Sequence, residues 1–174
     1  YEISLGLVGS EMCIRDRYLS TLPSNILSGE EIQIPPDSIR EIFRFADLGE
    51  NDVFYHLGCG EGASLSIARQ EFNVKSAIGI DNSKKMIDIA KKSIENDKIS
   101  DVRLIEQDVL EADLSDASVI LCWFMDPDIV ESLMEKFEKL RDDVKIITIW
   151  APLPGCLPQK VDFPYIMNLS LIHI

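Results

Sequence analysis

The chain of 174 residues is acidic, with 30 Asp and Glu residues against 17 Lys and Arg residues and a formal net charge of −13 at pH 7. A surface of that sign repels nucleic-acid phosphate, so composition argues against DNA or RNA as a partner and favours basic partners. No run approaches the ~18 apolar residues that a membrane span needs, and no membrane association is predicted. The four cysteines have no C-x-x-C spacing. We therefore predict neither disulfides nor a metal site, and we expect a cytoplasmic protein.

Both ends of the chain resemble sequencing adapters. Residues 5–17 read like a frame translation of a transposon adapter, and residues 169–174 match the translation of its reverse complement. We expect residues 1–17 and 169–174 to be adapter-derived and exclude them from fold reasoning. The remaining residues 18–168 are predicted to form one domain, since about 150 residues are enough for a single core.

Strands and helices alternate along this domain. After a turn-rich lead-in to Pro36, Asp37 is predicted to cap a helix with Ile39, Ile42, Phe43 and Ala46 on its apolar face. Later helices are predicted at 63–72, after Asn82 or Ser83, and after Asp126. The predicted strands are 53–58, 76–81, 102–107, 118–124 and 144–150. This rhythm predicts an α/β fold with a doubly wound, mostly parallel sheet.

A glycine-rich turn, Gly58-Cys59-Gly60-Glu61-Gly62, joins the first strand to the next helix. Glycine allows a sharp reversal and a close approach of a ligand, while the first N–H groups of the helix point into the same space. The next strand ends at Asp81, where a carboxylate can accept hydrogen bonds from a ribose diol. Together the two features predict a nucleotide cradle.

The spacing G-x-G-x-G differs from the G-x-G-x-x-G of dinucleotide-binding domains, which disfavours a pyrophosphate ligand. The string YHLGCGEG, followed by GID, resembles motif I and the next acidic motif of class I S-adenosylmethionine-dependent methyltransferases. The resemblance covers residues 34–168 and implies a Rossmann-like sheet of order 3-2-1-4-5. It also implies an antiparallel edge pair, to which residues 161–168 would contribute. His56 stands where the family has its first aspartate, which contacts the methionine part of the cofactor.

The resemblance implies that S-adenosylmethionine is held at the carboxyl ends of the first three strands. The expected cofactor residues are His56, Gly58, Cys59, Gly60, Gly62, Asp81, Asn82, Asp108 and Val109. Asp108 is expected to accept from the adenine amino group, although a turn-capping role also explains an aspartate there. Cys59 and Cys122 are interpreted as small buried hydrophobes.

Three aromatic residues and one acid are candidates for the acceptor side. Trp123, Phe124 and Trp150 stand at adjacent strand ends and could form an aromatic wall beside a cationic centre, or simply belong to the core. Asp126 precedes Pro127, a pairing typical of a helix N-cap. A catalytic role for Asp126 is compatible with capping. The D/N-P-P-Y/F signature of methyltransferases acting on nucleobases is absent, because Asp128 follows Pro127.

The I-x-I-P-P segment, the FNVK-x-A-x-G-I segment and the short length resemble small archaeal protein-lysine methyltransferases. The resemblance implies methyl transfer to an amine, with protein lysine favoured and a small-molecule acceptor left open. Two alternatives remain at this point. One is a non-catalytic cofactor-binding module, in which His56 marks lost activity. The other is a nicotinamide-dependent oxidoreductase, which the glycine spacing disfavours.

Overall fold

The computed structural model describes residues 33–124, 126–149, 152–162 and 165–169, with the side chains of Tyr165 and Leu169 excepted. All of these residues belong to one unit that spans Gln33–Ile174. Trp150, one of the predicted acceptor-site residues, lies outside the described residues, as does almost the whole predicted N-terminal adapter and lead-in.

The described strands form one mixed sheet. They are β1 (Val53–Leu57), β2 (Ser76–Asp81), β3 (Val102–Glu106), β4 (Val119–Cys122), β5 (Lys145–Ile149), β6 (Lys160–Asp162) and β7 (Tyr165–Leu169). Their order is β3-β2-β1-β4-β5-β7-β6, and the first five strands are mutually parallel. β7 pairs antiparallel with both β5 and β6. The predicted sheet type, strand order and antiparallel edge are confirmed.

The described residues contain four helices, of which the first precedes β1 and the other three connect strands. They are α1 (Pro36–Phe45), α2 (Ala63–Gln70), α3 (Lys84–Asn96) and α4 (Pro127–Phe137), and a 3-10 turn covers Val109–Glu111. Among the described residues, no helix is long and apolar enough to cross a membrane.

The first helix begins differently from the prediction. Asp37 was expected to be its N-cap, but the N-cap is Pro35, and Pro36 occupies the first turn. Proline suits this position because its missing N–H would be unpaired there and its fixed φ is helical. Asp37 instead lies within the first turn, where its carboxylate accepts from Arg40 at 3.0 Å.

The sheet separates two cores, and β4 shows how. Its side chains alternate, so Val119 and Leu121 pack in the core beneath α1, α2 and α3, while Ile120 and Cys122 pack in the core beneath α4. All four are buried, as expected for a central parallel strand covered on both faces. The glycine-rich turn follows β1, which pairs with β4 in this part of the sheet that is covered on both faces.

Candidate cofactor site

The glycine-rich turn follows β1 with left-handed backbone at each of its glycines. φ is +77° at Gly58, +53° at Gly60 and +78° at Gly62, a region that other residues enter only with strain. The Gly58 and Cys59 N–H groups both donate to the Ile80 carbonyl, at 2.8 and 3.0 Å. These two bonds hold the turn against the end of β2.

Gly58 contacts one neighbouring side chain, and Gly62 allows a closer approach by another. A Cβ on Gly58 would lie 3.6 Å from the Phe124 ring, so that ring rests against the start of the turn. A Cβ on Gly62 would lie 3.0 Å from the Ala90 Cβ of α3. Gly62 is also the N-cap of α2 and makes no side-chain cap, which leaves the positive end of the helix facing the turn.

Asp81 ends β2 and joins the turn to the next helix. Its Oδ2 accepts from the Gly60 N–H at 2.8 Å, and its Oδ1 accepts from the Ser83 N–H at 2.9 Å. A carboxylate oxygen has two lone pairs, so each retains an acceptor position for a ribose hydroxyl. Asp81 lies where the sequence predicted it, and Asn82 beside it is exposed.

His56 is turned away from the turn and into the core. It is buried, and its Nδ1 lies 2.6 Å from the hydroxyl of Ser64 in the first turn of α2. Burial lowers the pKa of His56 to about 4, so the imidazole is neutral at pH 7. This position therefore supplies no carboxylate, unlike the aspartate of motif I.

Cys59 and Cys122 are buried free thiols, as predicted. Burial raises the pKa of each to about 12, so neither is a thiolate at neutral pH. Cys59 packs tightly against β2, since a Cβ on Gly79 would lie 2.7 Å from its Sγ. No group of three or more His, Cys, Asp and Glu residues suited to a metal occurs within the described part of the chain.

Asp108 and Asp126 both cap the segments that follow them. Asp108 Oδ1 accepts from the Leu110 N–H at 2.9 Å, and Asp126 Oδ1 accepts from the Asp128 N–H at 2.9 Å. Both carboxylates are exposed at the carboxyl edge of the sheet, so capping leaves each accessible to a ligand. Val109, after Asp108, is buried.

Trp123 and Phe124 contact different cores. Trp123 packs with the core beneath α1, α2 and α3, whereas Phe124 packs with the core beneath α4. The alternation of β4 continues into these two residues and sends their side chains to opposite faces of the sheet. The Phe124 ring lies against the start of the glycine-rich turn, 3.6 Å from where a Cβ on Gly58 would be.

One residue at the turn escaped the sequence reasoning. The side-chain amide of Gln33 lies over Gly60, where an added Cβ would be 2.5 Å from its Nε2 and 2.7 Å from its Oε1. Gln33 stands in the I-x-I-P-P segment, 27 residues before Gly60 in the numbering. Its proximity is a contact between residues distant along the chain, and no local pattern indicates it.

The comparisons with known proteins agree with this geometry. The model of the ANTKMT methyltransferase domain matches residues 56–160, which include the turn, Asp81 and the strands up to β6. The chain belongs to the ANTKMT methyltransferase family. It is a class I methyltransferase of Rossmann-like fold, and its cofactor is S-adenosylmethionine.

Two individual proteins are similar to this chain in sequence. A protein-lysine N-methyltransferase of Saccharolobus islandicus is 27% identical over 132 residues, which are 75% of this chain and 81% of that protein. A carboxy-S-adenosyl-L-methionine synthase of Sulfurimonas denitrificans is 34% identical over 103 residues, 56% of this chain and 43% of that protein.

A solved structure shares the fold. The RNA methyltransferase of Salinibacter ruber, in complex with S-adenosyl-L-homocysteine, superposes with a TM-score of 0.75 at 22% identity. The match covers 82% of this chain and 96% of that one.

The residues of this site fit the cofactor. The three glycines present no side chain of their own, Asp81 keeps acceptor positions that a ribose diol could use, and the uncapped start of α2 favours negative charge. When bound, S-adenosylmethionine supplies a methyl group carried on a positively charged sulfur.

Proposed function

We propose that this methyltransferase acts on the side-chain amine of protein lysine. The observation that carries the proposal is the Phe124 ring at the start of the glycine-rich turn, on the segment that links β4 to Asp126. In a sheet of this order, ligands bind outside the carboxyl ends of the strands next to the point where the order reverses, here between β1 and β4. Phe124 and Asp126 stand at that point.

An apolar ring and an acid there suit an amine acceptor. A desolvated ammonium has a lowered pKa, so the Phe124 ring favours the neutral amine that can attack. The exposed Asp126 carboxylate attracts the charged form before it enters. In the reaction, the lysine nitrogen forms a bond to the methyl carbon with its lone pair, and the carbon–sulfur bond breaks with its electrons going to sulfur. The lysine proton goes to water beforehand, so positioning is the main requirement on the protein.

Two further observations support a protein substrate. The net charge of −13 draws in basic segments. The relative from Saccharolobus islandicus that matches over 81% of its length is a protein-lysine N-methyltransferase.

The proposed cofactor contacts follow the same geometry. Asp81 binds the ribose hydroxyls, the glycine-rich turn lies along the ligand, and Asp108 accepts from the adenine amino group at the end of β3. His56 takes no direct part, because its ring is bonded to Ser64 beneath the turn.

The test is methylation of defined peptides by the full chain. Lysine-rich peptides, the same peptides with arginine in place of lysine, and small primary amines are incubated with methyl-labelled S-adenosylmethionine, and the product is located by mass spectrometry. We expect mono- or higher methylation on lysine nitrogen in the lysine peptides alone.

Phe124→Ala tests the proposed role of the Phe124 ring at the acceptor site. The control is Phe72→Ala, which lies in the core beneath α1, α2 and α3 and away from the turn. We expect Phe124→Ala to reduce turnover at saturating cofactor about tenfold or more while cofactor affinity changes little, in line with loss of a positioning contact. Methylation confined to small amines, or to arginine peptides, would contradict the lysine assignment while leaving methyl transfer in place.

A further inference from the structure

The Gln33 amide covers the middle glycine of the turn. Gly60 is buried although it lies in an open turn, and the side-chain atoms nearest its missing Cβ are Nε2, Oε1 and Cδ of Gln33. The Gln33 side chain itself is exposed. A polar, solvent-accessible amide therefore lies directly over the middle glycine of the turn.

The segment around Gln33 is fixed in place. Ile34 packs against the core beneath α1 and α2. Pro35 is the N-cap of α1, and its carbonyl accepts from the Ile39 N–H at 3.0 Å. The two prolines restrict the backbone on the carboxyl side of Gln33. The backbone that carries Gln33 is thus restrained before any ligand arrives, which lowers the entropic cost of a contact.

The first position of motif I supplies no carboxylate in this chain, and besides Gln33 the N-terminus of α2 at the turn also favours a negative group. The amino-acid part of S-adenosylmethionine carries a carboxylate and an ammonium, and motif I normally meets this part from its first aspartate. That position is His56, whose neutral ring is bonded to Ser64 inside the core. A carboxamide at the surface of the turn offers two N–H donors to a carboxylate.

We propose that Gln33 is a cofactor-binding residue whose side-chain amide donates to the carboxylate of the cofactor's amino-acid part. This inference rests on the cofactor assignment and is independent of the methyl acceptor. It assigns two parts of the ligand to different residues: Asp81 to the ribose and Gln33 to the amino acid.

The experiment compares two ligands that differ in the amino-acid part. S-adenosylhomocysteine carries it and 5′-methylthioadenosine lacks it, and their dissociation constants are measured by calorimetry on the full chain. Gln33→Ala is expected to weaken S-adenosylhomocysteine about tenfold and to leave 5′-methylthioadenosine unchanged. Gln33→Glu is expected to weaken the first ligand further, because a carboxylate then faces a carboxylate.

Two controls separate this effect from misfolding or a general loss of the site. Gln70→Ala changes an exposed glutamine at the end of α2 and should leave both affinities unchanged. Asp81→Ala should weaken both ligands, since both contain the ribose.

Four results would overturn the proposal, three of them seen in the variants. The three are unchanged S-adenosylhomocysteine affinity in Gln33→Ala, equal losses for both ligands, or tighter binding by Gln33→Glu. A wild-type chain that binds 5′-methylthioadenosine but not S-adenosylhomocysteine would also overturn it. If the wild type binds neither ligand, the cofactor assignment itself is wrong.

Discussion

Gly60 combines two constraints that a single substitution can test. Its φ of +53° disfavours any side chain, and a Cβ would enter the space that Gln33 now occupies above the turn. We expect Gly60→Val to abolish S-adenosylhomocysteine binding in calorimetric titration, because the branched side chain fills the ligand's approach to the backbone.

The matched control is Gly155→Val. Gly155 has φ of +72° but no atom within 4 Å of an added Cβ, so it carries the backbone strain without touching the turn. Each variant should lose about 1–2 kcal/mol of stability, and Gly155→Val should bind normally. Wild-type affinity in Gly60→Val would contradict the assignment of the turn.

The stability of the folded chain depends on pH because the His56 side chain is buried. Because its pKa falls from 6.5 to about 4 in the folded chain, the unfolded chain binds the proton more readily below pH 6.5. The stability that the neutral ring contributes is therefore complete above pH 6.5 and is lost progressively as pH falls toward 4. The loss amounts to about 3 kcal/mol at pH 4.

Chemical unfolding of wild type and His56→Asn at pH 7 and pH 4 measures this effect. Asparagine can still bond to Ser64 but does not titrate, so its stability should fall by about 3 kcal/mol less than that of wild type over this range. Equal losses in the two proteins would show that His56 is not held neutral. Carboxylate protonation affects both proteins alike and cancels in the difference.

At the scale of the elements, the sequence located helices and strands well and their ends less well. β4 ends at Cys122, whereas the predicted strand continued to Phe124, and α2 ends at Gln70 rather than at residue 72. The apolar pattern continues past these ends because Trp123, Phe124 and Phe72 still contact the cores. Apolar periodicity reports burial, while the end of an element depends on where backbone pairing stops.

Asp126 has two proposed roles, to cap the start of α4 and to attract the amine acceptor, and substitutions can separate them. The N-cap bond from Asp128 requires an oxygen at this position, and serine supplies one without a charge. We expect Asp126→Ala to lower the free energy of unfolding by about 1 kcal/mol and Asp126→Ser to preserve it.

Activity measurements then test the negative charge of Asp126 separately from its capping role. If the carboxylate attracts the lysine acceptor, Asp126→Ser should raise the KM for a lysine peptide several-fold while stability stays at the wild-type value. An unchanged KM in Asp126→Ser would show that Asp126 acts only as the N-cap of α4. Denaturant titration and steady-state kinetics on the same preparations provide both measurements.

At the scale of the described molecule, β5 and β6 are hydrogen-bonded to the end of α1. Lys145 of β5 and Lys160 of β6 donate to the Ala46 and Phe45 carbonyls at the end of α1, each at 2.7 Å. Lysines bonded to the final carbonyls of a helix also complement its negative end. Leu169, predicted to be adapter-derived, pairs with Lys145 as the last residue of β7.

The charge of the whole chain predicts how rates respond to salt and pH. With a net charge of −13, attraction for a basic peptide should weaken as the screening length falls to about 8 Å near 0.15 M salt. We expect kcat/KM on a lysine-rich peptide to fall several-fold from low to physiological ionic strength. It should rise with pH, because only the neutral amine attacks.

Initial rates measured against salt and pH test both expectations, with S-adenosylhomocysteine affinity as a control for the cofactor site. A salt-insensitive enzyme that prefers a small neutral metabolite would contradict the protein-lysine proposal. Methyl transfer itself would be unaffected by that result.

The sequence by itself determined the sheet type, the glycine-rich turn and the position of Asp81. Each depends on residues that are adjacent along the chain: an apolar strand, a turn with left-handed glycines and a helix. These local features come together in the folded protein because parallel strands place their carboxyl ends at one edge of the sheet.

Only the tertiary structure decided which side chains reach that edge. It turned His56 into the core toward Ser64, sent Trp123 and Phe124 to opposite faces, and brought Gln33 over Gly60. These outcomes depend on packing between segments far apart in the chain and on the alternation of side chains across a twisted sheet. Packing between distant segments leaves no local pattern that could be read from neighbouring residues.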